Sequence, residues 1–353
     1  MDNELSSKQV SIIADGARLL QEGGLVVFPT ETVYGIGADA RSDQACRRIF
    51  KAKGRPGDNP LIVHIGAVRQ LFELSAGDPP LEAIRALEIF GPGPITVVIR
   101  HNGSVSPVAT TGLPTLAVRI PGHPVARRLL KEAAIPVAAP SANRSGRPSP
   151  TTYEMAVAAM EGRVDAIIDG GEADVGVEST ILDCTETPQR ILRPGGVTYE
   201  MLRESGFEVV PPKPPVSRIG NEQLPEGSRP QREGEFLAPG SRYRHYEPEA
   251  AVYVLDVDDL RGRGEALLSA AGRAPVGIMG EAAGVGQLLA AAPITPRATR
   301  FYGSLVEYAR SIYATFYQFD QSGCELIVAL LPAPEGLGAA IRDRLLRAGR
   351  PLV

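Results

Sequence analysis

Between Pro211 and Pro248 the chain carries eight prolines in 38 residues and almost no hydrophobic periodicity. Proline fixes φ and offers no backbone N–H, so such a stretch cannot extend a helix or sit inside a sheet. It divides the 353 residues into two patterned parts, each of which must bury a core of its own. The expected organisation is a first domain over residues 1–210, a connection over 211–248 and a second domain over 249–353. The end of the connection, Ala238-Pro-Gly-Ser-Arg-Tyr-Arg-His-Tyr-Glu-Pro248, is rich in aromatics and cations for a spacer. A long loop with that chemistry suits an active-site lid.

The first part alternates helical and strand patterns, which places it in the α/β or α+β class. Helices are expected at Val10–Leu20, Asp43–Lys53, Leu81–Phe90, Pro124–Glu132, Thr152–Met160 and Thr198–Ser205. Strands are expected at Leu25–Phe28, Leu61–Ile65, Ile95–Arg100, Leu116–Ile120, Pro136–Ala139, Ala166–Ile168, Ser179–Asp183 and Gln189–Leu192. The second part reads strand Ala251–Val257, helix Leu260–Ala271, strand Val276–Met279, helix Tyr302–Tyr317, strand Glu325–Leu331, helix Leu337–Ala348. Strands alternating with helices imply a small parallel, Rossmann-like sheet.

With 43% hydrophobic and 22% charged residues the composition is that of a soluble globular protein. A net charge of −4 and a pI near 5.8 argue against a protein whose main task is coating nucleic acid. Three scattered cysteines, Cys46, Cys184 and Cys324, suit a reducing compartment. Four histidines without short Cys/His spacing disfavour a structural zinc site. The start, Met1-Asp2-Asn3-Glu4, lacks a signal core, and no run has the ~20 apolar residues of a membrane span. A cytoplasmic location is expected.

Cations and polar loops cluster at the ends of the expected strands. Lys51, Lys53 and Arg55 close a helical pattern where Gly54 and Pro56 break it, and a rigid Pro-Gly-Asp-Asn-Pro loop follows. Part of this charge complements a helix dipole, but converging cations on a fixed loop suit an anion pocket better. Thr30, Glu31 and Thr32 follow a buried strand, where α/β sheets place ligands. Gly35-Ile-Gly37-Ala-Asp-Ala40 fits a dinucleotide fingerprint only loosely, and tight turns account for its glycines. No phosphate-binding loop of the ATPase kind is present.

Alternation sets Thr115, Ala117 and Arg119 on one face of a strand. A buried Arg119 requires an anion, either a Glu or Asp or a ligand carboxylate. Pro140-Ser-Ala-Asn-Arg-Ser-Gly-Arg-Pro-Ser-Pro150 offers hydroxyls and amides for phosphate oxygens or a hydrated cation. A serine nucleophile is a poorer reading, since no Gly-x-Ser-x-Gly elbow occurs. Without an acid–base constellation, the chemistry points to positioning and charge neutralisation around anions.

Together these segments resemble the threonylcarbamoyl-AMP synthase family, the YrdC-like superfamily, in its longer two-domain form. The resemblance rests on Pro29-Thr-Glu-Thr-Val-Tyr-Gly35, Lys53-Gly-Arg-Pro-Gly-Asp-Asn-Pro-Leu61, Gly91-Pro-Gly-Pro-Ile-Thr96, Val118-Arg-Ile-Pro121, Pro140-Ser-Ala-Asn-Arg-Ser-Gly146, Val177-Glu-Ser-Thr180 and Arg193-Pro-Gly195, in the family's order. Phe90-Gly91-Pro92 lacks the Trp that the family often has before that proline, a packing change expected to leave the site intact.

The resemblance implies a twisted mixed sheet with a large basic cavity. It also implies ATP-dependent synthesis of threonylcarbamoyl-AMP from L-threonine and bicarbonate, releasing pyrophosphate, for modification of tRNA by downstream transferase proteins. By the same resemblance Thr32, His64, Arg119, the backbone at Ala139 and Ser179 surround threonine. Arg55, Asn59, Thr115, Ser141, Ser149 and Arg193 hold ATP. Lys53 and Arg55 stand by the phosphates as the catalytic cations, and Asn143 lies near Mg²⁺, which accompanies ATP with no tight protein site. Tyr243, His245 and Tyr246 are the lid candidates, protecting a labile carbamate from water. The rival readings are an RNA-binding module and a carbamoyltransferase that uses carbamoyl phosphate.

Overall fold

The computed structural model describes residues 5–212, 246–291 and 294–349. The first part forms a ten-stranded mixed sheet. Its strands are β1 (Val26–Phe28), β2 (Gly35–Asp39), β3 (Ile62–His64), β4 (Ile95–Arg100) and β5 (Thr115–Arg119), then β6 (Val137–Ala138), β7 (Ala166–Ile167), β8 (Thr180–Asp183), β9 (Gln189–Arg193) and β10 (Val209–Val210). The order across the sheet is β10-β9-β8-β4-β5-β3-β6-β2-β1-β7. β3 runs parallel to β5, and β4 lies antiparallel to β5. This register sets His64, Arg119 and Thr96 directly opposite one another on three adjacent strands. Three polar side chains far apart in sequence therefore share one row.

Alternation along β5 divides the core as expected. Leu116 and Val118 belong to the main cluster, while Ala117 packs with Ile62, Val98 and Ile181 on the opposite face. The helix Asp43–Lys53 begins and ends where its pattern predicted. Ser42 accepts from the Ala45 amide at its start, and Gly54 takes a left-handed φ of 61° at its end. Phe90 packs on the ring of Phe207, 6.2 Å between centroids.

One glycine motif is corrected. Gly35 and Gly37 lie within strand β2 and not in a turn. A Cβ on Gly37 would fall 2.7 Å from the Phe28 ring and 2.9 Å from Val137, so close packing demands glycine there.

The second part forms a four-stranded, all-parallel sheet, β11 (Ala251–Leu255), β12 (Val276–Glu281), β13 (Ala298–Tyr302) and β14 (Leu326–Leu330), in the order β11-β14-β12-β13. Strand β13 and the helix Ala282–Ala291 escaped the sequence pattern. β13 is an edge strand buried fully only at Tyr302, so its apolar signal is weak. The helix expected from Tyr302 begins at Leu305, because the Ser304 side chain accepts from the Glu307 amide and caps it there. No helix among the described residues is long and apolar enough to cross a membrane.

Candidate active site

A cleft with about 720 Å³ of atom-free space, part of it open to solvent, lies where the strand ends and loops of the large sheet meet. Lys53, Arg55, Arg119 and Arg193 line it together with His64, Ala139, Ser141 and Asn143. Glu178 and Tyr246 stand in the same wall. Four cations face one carboxylate among these groups, so the cavity favours anions.

Backbone bonds bring the loops together. The Ser145 amide donates to the Lys53 carbonyl and the Ile36 amide to the Pro140 carbonyl, which fastens the Ser-Ala-Asn loop to β2 and to the helix end. Lys53 Nζ donates to the Asn143 carbonyl at 2.7 Å, to the Ser141 carbonyl and to Asn143 Oδ1 at 3.3 Å. Burial and the nearby Arg55 push the Lys53 pKa down, while three acceptors favour its protonated form. The ammonium thus organises this loop as well as charging the cavity. Arg55 Nη2 reaches the Asn59 carbonyl at 3.4 Å, and its guanidinium lies over the Phe50 ring.

Arg119 meets the anion that its buried position requires, Glu31. Nη2 donates to Glu31 Oε1 at 2.7 Å and to Thr32 Oγ1 at 2.9 Å, and Nε donates to the Gly93 carbonyl. Glu31 Oε2 in turn accepts from the Gly122 amide. Nη1 makes no hydrogen bond among the described residues and remains for a ligand. His64 is buried beside it, with no hydrogen-bond partner for Nδ1. Burial, then the Arg119 charge, pushes its pKa down to about 3, so the ring is neutral at pH 7.

The opposite wall belongs to β8 and β9. Arg193 donates to the Ser179 carbonyl and to Ser179 Oγ at 3.2 Å, and Thr96 shares a 2.7 Å hydrogen bond with the same hydroxyl. Gly195 permits this approach, since a Cβ there would fall 2.3 Å from the Glu178 carbonyl oxygen. Ser149 Oγ donates to Glu178 Oε1 at 2.7 Å.

Of the expected residues, Lys53, Arg55, His64, Arg119, Ala139, Ser141, Asn143 and Arg193 line one cavity. Thr32, Ser149 and Ser179 stand just behind, bonded to the Arg119, Glu178 and Arg193 side chains, and Asn59 meets Arg55 through its carbonyl. Thr115 starts the strand that ends at Arg119, roughly 13 Å away at strand rise, and is outside the wall. The Ala139 amide is already donated to the Ile62 carbonyl, leaving only its carbonyl for a ligand. Tyr243 and His245 lie outside the described residues.

Sequence reasoning gave Glu31 a turn or ligand-binding role but not that of partner to Arg119, and gave Glu178 none. Two cations on strand ends, Arg119 and Arg193, were the signal that buried carboxylates had to stand nearby.

Two family models cover nearly the whole chain. One, described as telomere recombination and spanning the Sua5, YciO and YrdC proteins, matches residues 18–195. The other, described as the C-terminal domain of threonylcarbamoyl-AMP synthase, matches residues 197–349. The chain belongs to the threonylcarbamoyl-AMP synthase family. The Pyrococcus abyssi threonylcarbamoyl-AMP synthase is 38% identical over 334 residues, covering 94% of this chain and 92% of that protein. The Bacillus subtilis threonylcarbamoyl-AMP synthase is also 38% identical, over 98% of this chain and 95% of its own length. Among solved structures, P. abyssi Sua5 complexed with L-threonine superposes with a TM-score of 0.83 at 36% identity, over 98% of this chain and 97% of that one. For a threonylcarbamoyl-AMP synthase family member, the cationic cleft between β3, β5, β8 and β9 is the candidate active site.

Proposed function

We propose that the chain makes threonylcarbamoyl-AMP from L-threonine, bicarbonate and ATP, releasing pyrophosphate, for tRNA modification by a downstream transferase. The observation that carries this is the gathering of Lys53, Arg55, Arg119 and Arg193 around one cleft with a neutral His64. Threonine carbamate and ATP are both anions. In water their mutual approach is opposed, whereas fixed cations in a partly dry cleft screen the repulsion.

Arg119 Nη1 and His64 mark the threonine end, with Thr32 and Ser179 behind them. Because Glu31 already occupies Arg119 Nη2, the amino-acid carboxylate meets one edge of the guanidinium and not a bidentate fork. Arg55, Asn59, Ser141, Ser149 and Arg193 form the ATP end. The carbamate oxygen attacks the α-phosphorus, forming a P–O bond as the bond to the pyrophosphate oxygen breaks. Lys53 and Arg55 stabilise the charge that grows on the leaving group.

Magnesium, on this reading, arrives on the nucleotide and supplies further charge neutralisation. Asn143 Oδ1 accepts from Ser141 Oγ and faces the Lys53 ammonium, which makes it a poor direct ligand. No step is assigned to the metal.

The reading divides the chain into a catalytic domain to about residue 210, a connection through 248 that carries the lid, and an accessory domain beyond. Tyr246, buried in the cleft wall with a left-handed φ of 70°, supports the lid. It is held in a backbone conformation that bulky residues rarely adopt. The enzyme is expected in the cytoplasm.

The test is pyrophosphate release with each substrate omitted in turn. Release that needs threonine, bicarbonate and ATP together is the expected result. Salt-dependent tRNA binding without ATP turnover would favour an RNA-binding module. Turnover of carbamoyl phosphate would favour the other rival.

A further inference from the structure

The second domain reaches into the catalytic cleft. Arg344 and Tyr313 lie on the helices Leu337–Ala348 and Leu305–Gln321, yet both end on Glu178, a wall residue of the first domain. Arg344 Nε donates to Glu178 Oε2 at 2.8 Å, and the Tyr313 hydroxyl lies 2.9 Å from the same oxygen. Arg344 Nη1 donates to the Pro194 carbonyl at 2.7 Å, next to Arg193. Its guanidinium carbon sits 5.8 Å from the centre of the Tyr246 ring, which in turn packs 5.2 Å from Tyr313. Arg344 is wholly buried, and Asp343 Oδ2 accepts from its Nη1 at 2.9 Å.

A carboxylate in the wall of a cleft for two anionic reactants is a liability unless a cation neutralises it. The first domain supplies Glu178 with the Ser149 hydroxyl. Its bonded cation comes from the second domain. Burial alone would raise the Glu178 pKa, but Arg344 and Arg193 outweigh it and hold the group at about 2. Glu178 therefore stays an anion whose field must be cancelled locally.

We propose that Arg344 is a positioning residue of the active site: by pairing with Glu178 and holding the Pro194 carbonyl, it cancels and fixes the nucleotide-facing wall, so the second domain completes the ATP site. This rests on the assignment of that wall to ATP. Arg344 touches no substrate in this scheme and acts through Glu178, Ser149 and Arg193.

The test measures ATP and L-threonine affinity of the full chain by calorimetry, which needs no turnover. Failure of the wild-type chain to bind ATP would reject the ATP assignment itself. Given wild-type binding, Arg344→Met is expected to weaken ATP at least tenfold and threonine less than threefold. Glu178→Gln/Arg344→Met, which removes both charges, is expected to return ATP affinity to within about threefold of wild type. Arg342→Ala, which breaks an ion pair to Asp256 inside the second domain, is expected to lower thermal stability and leave both affinities unchanged. Unchanged ATP affinity in folded Arg344→Met, equal loss of both ligands, or no recovery in the double variant would overturn the proposal. Should Arg344→Met not fold, Tyr313→Phe removes a Glu178 donor without opening a cavity. About threefold weaker ATP with unchanged threonine is expected there, and no change would overturn it.

Discussion

His64 is buried at the end of β3 with its ring perpendicular to that of Phe28, 6.3 Å between centroids. Its pKa of about 3 lies below the unfolded value near 6.5. The unfolded chain therefore binds more protons in this interval, and the neutral ring contributes stability that is complete above pH 6.5. That contribution falls as the pH drops through 6.5 toward 3. Glu178, depressed to about 2 because Arg344 and Arg193 outweigh its burial, loses its own contribution only below about pH 4.5. Denaturant unfolding between pH 7 and 4.5 should show stability declining in the wild type and a flatter profile in His64→Gln. Equal slopes would mean that His64 is not held neutral. For chemistry, Lys53→Ala and Arg55→Ala should each slow threonine-dependent pyrophosphate release by ~10²-fold or more, as lost transition-state donors do. Wild-type rates in both would remove them from the mechanism. Arg119 shows what single residues reveal in a sequence. A cation on a strand face demands an anion, but only the fold selects Glu31 from the available acids.

At the scale of elements, the hairpin of β8 and β9 depends on Gly195. A Cβ there would meet the Glu178 oxygen and the Thr180 nitrogen, each at 2.3 Å. Both are backbone atoms and cannot swing aside. Gly195→Ala should force the hairpin from the Arg193 wall, costing about 1–3 kcal/mol and at least tenfold in activity. Thermal unfolding and the pyrophosphate assay check the two parts, and a variant that matches wild type in both would contradict the close approach. Elements with strong periodicity were legible: the helices Asp43–Lys53 and Leu337–Ala348 match their expected limits. Short or half-buried ones were not. β13 has one fully buried residue, and the two-residue β10 is too brief to show a period. Gly35 and Gly37 misled because a glycine required by packing has the same letter as one required by a turn.

Over the whole molecule, the two parts meet through buried polar groups as well as apolar ones. Tyr246 joins Tyr313 and Arg344 where the second domain covers the cleft wall. Tyr246→Ala should leave the large sheet intact and raise unproductive ATP consumption per threonylcarbamoyl-AMP formed, because water gains entry. Comparing nucleotide consumed with product formed checks this, and an unchanged ratio would contradict a lid role for Tyr246. The division into two parts was visible in the prolines, but the reach of Arg344 into the first part was not. A sign was present nonetheless. Arg344 falls between Ile341 and Leu345 on the buried face of its helix, where a cation needs a partner from another element.

The central claim is that one cationic hollow aligns two mutually repelling reactants for attack at the α-phosphorus. Mass spectrometry of products from ¹³C-bicarbonate, L-threonine and ATP tests it most directly. One ¹³C in a threonylcarbamoyl adenylate, formed in equal amount with pyrophosphate, is the predicted result. Pyrophosphate without a labelled adenylate, or ADP and phosphate in its place, would contradict it.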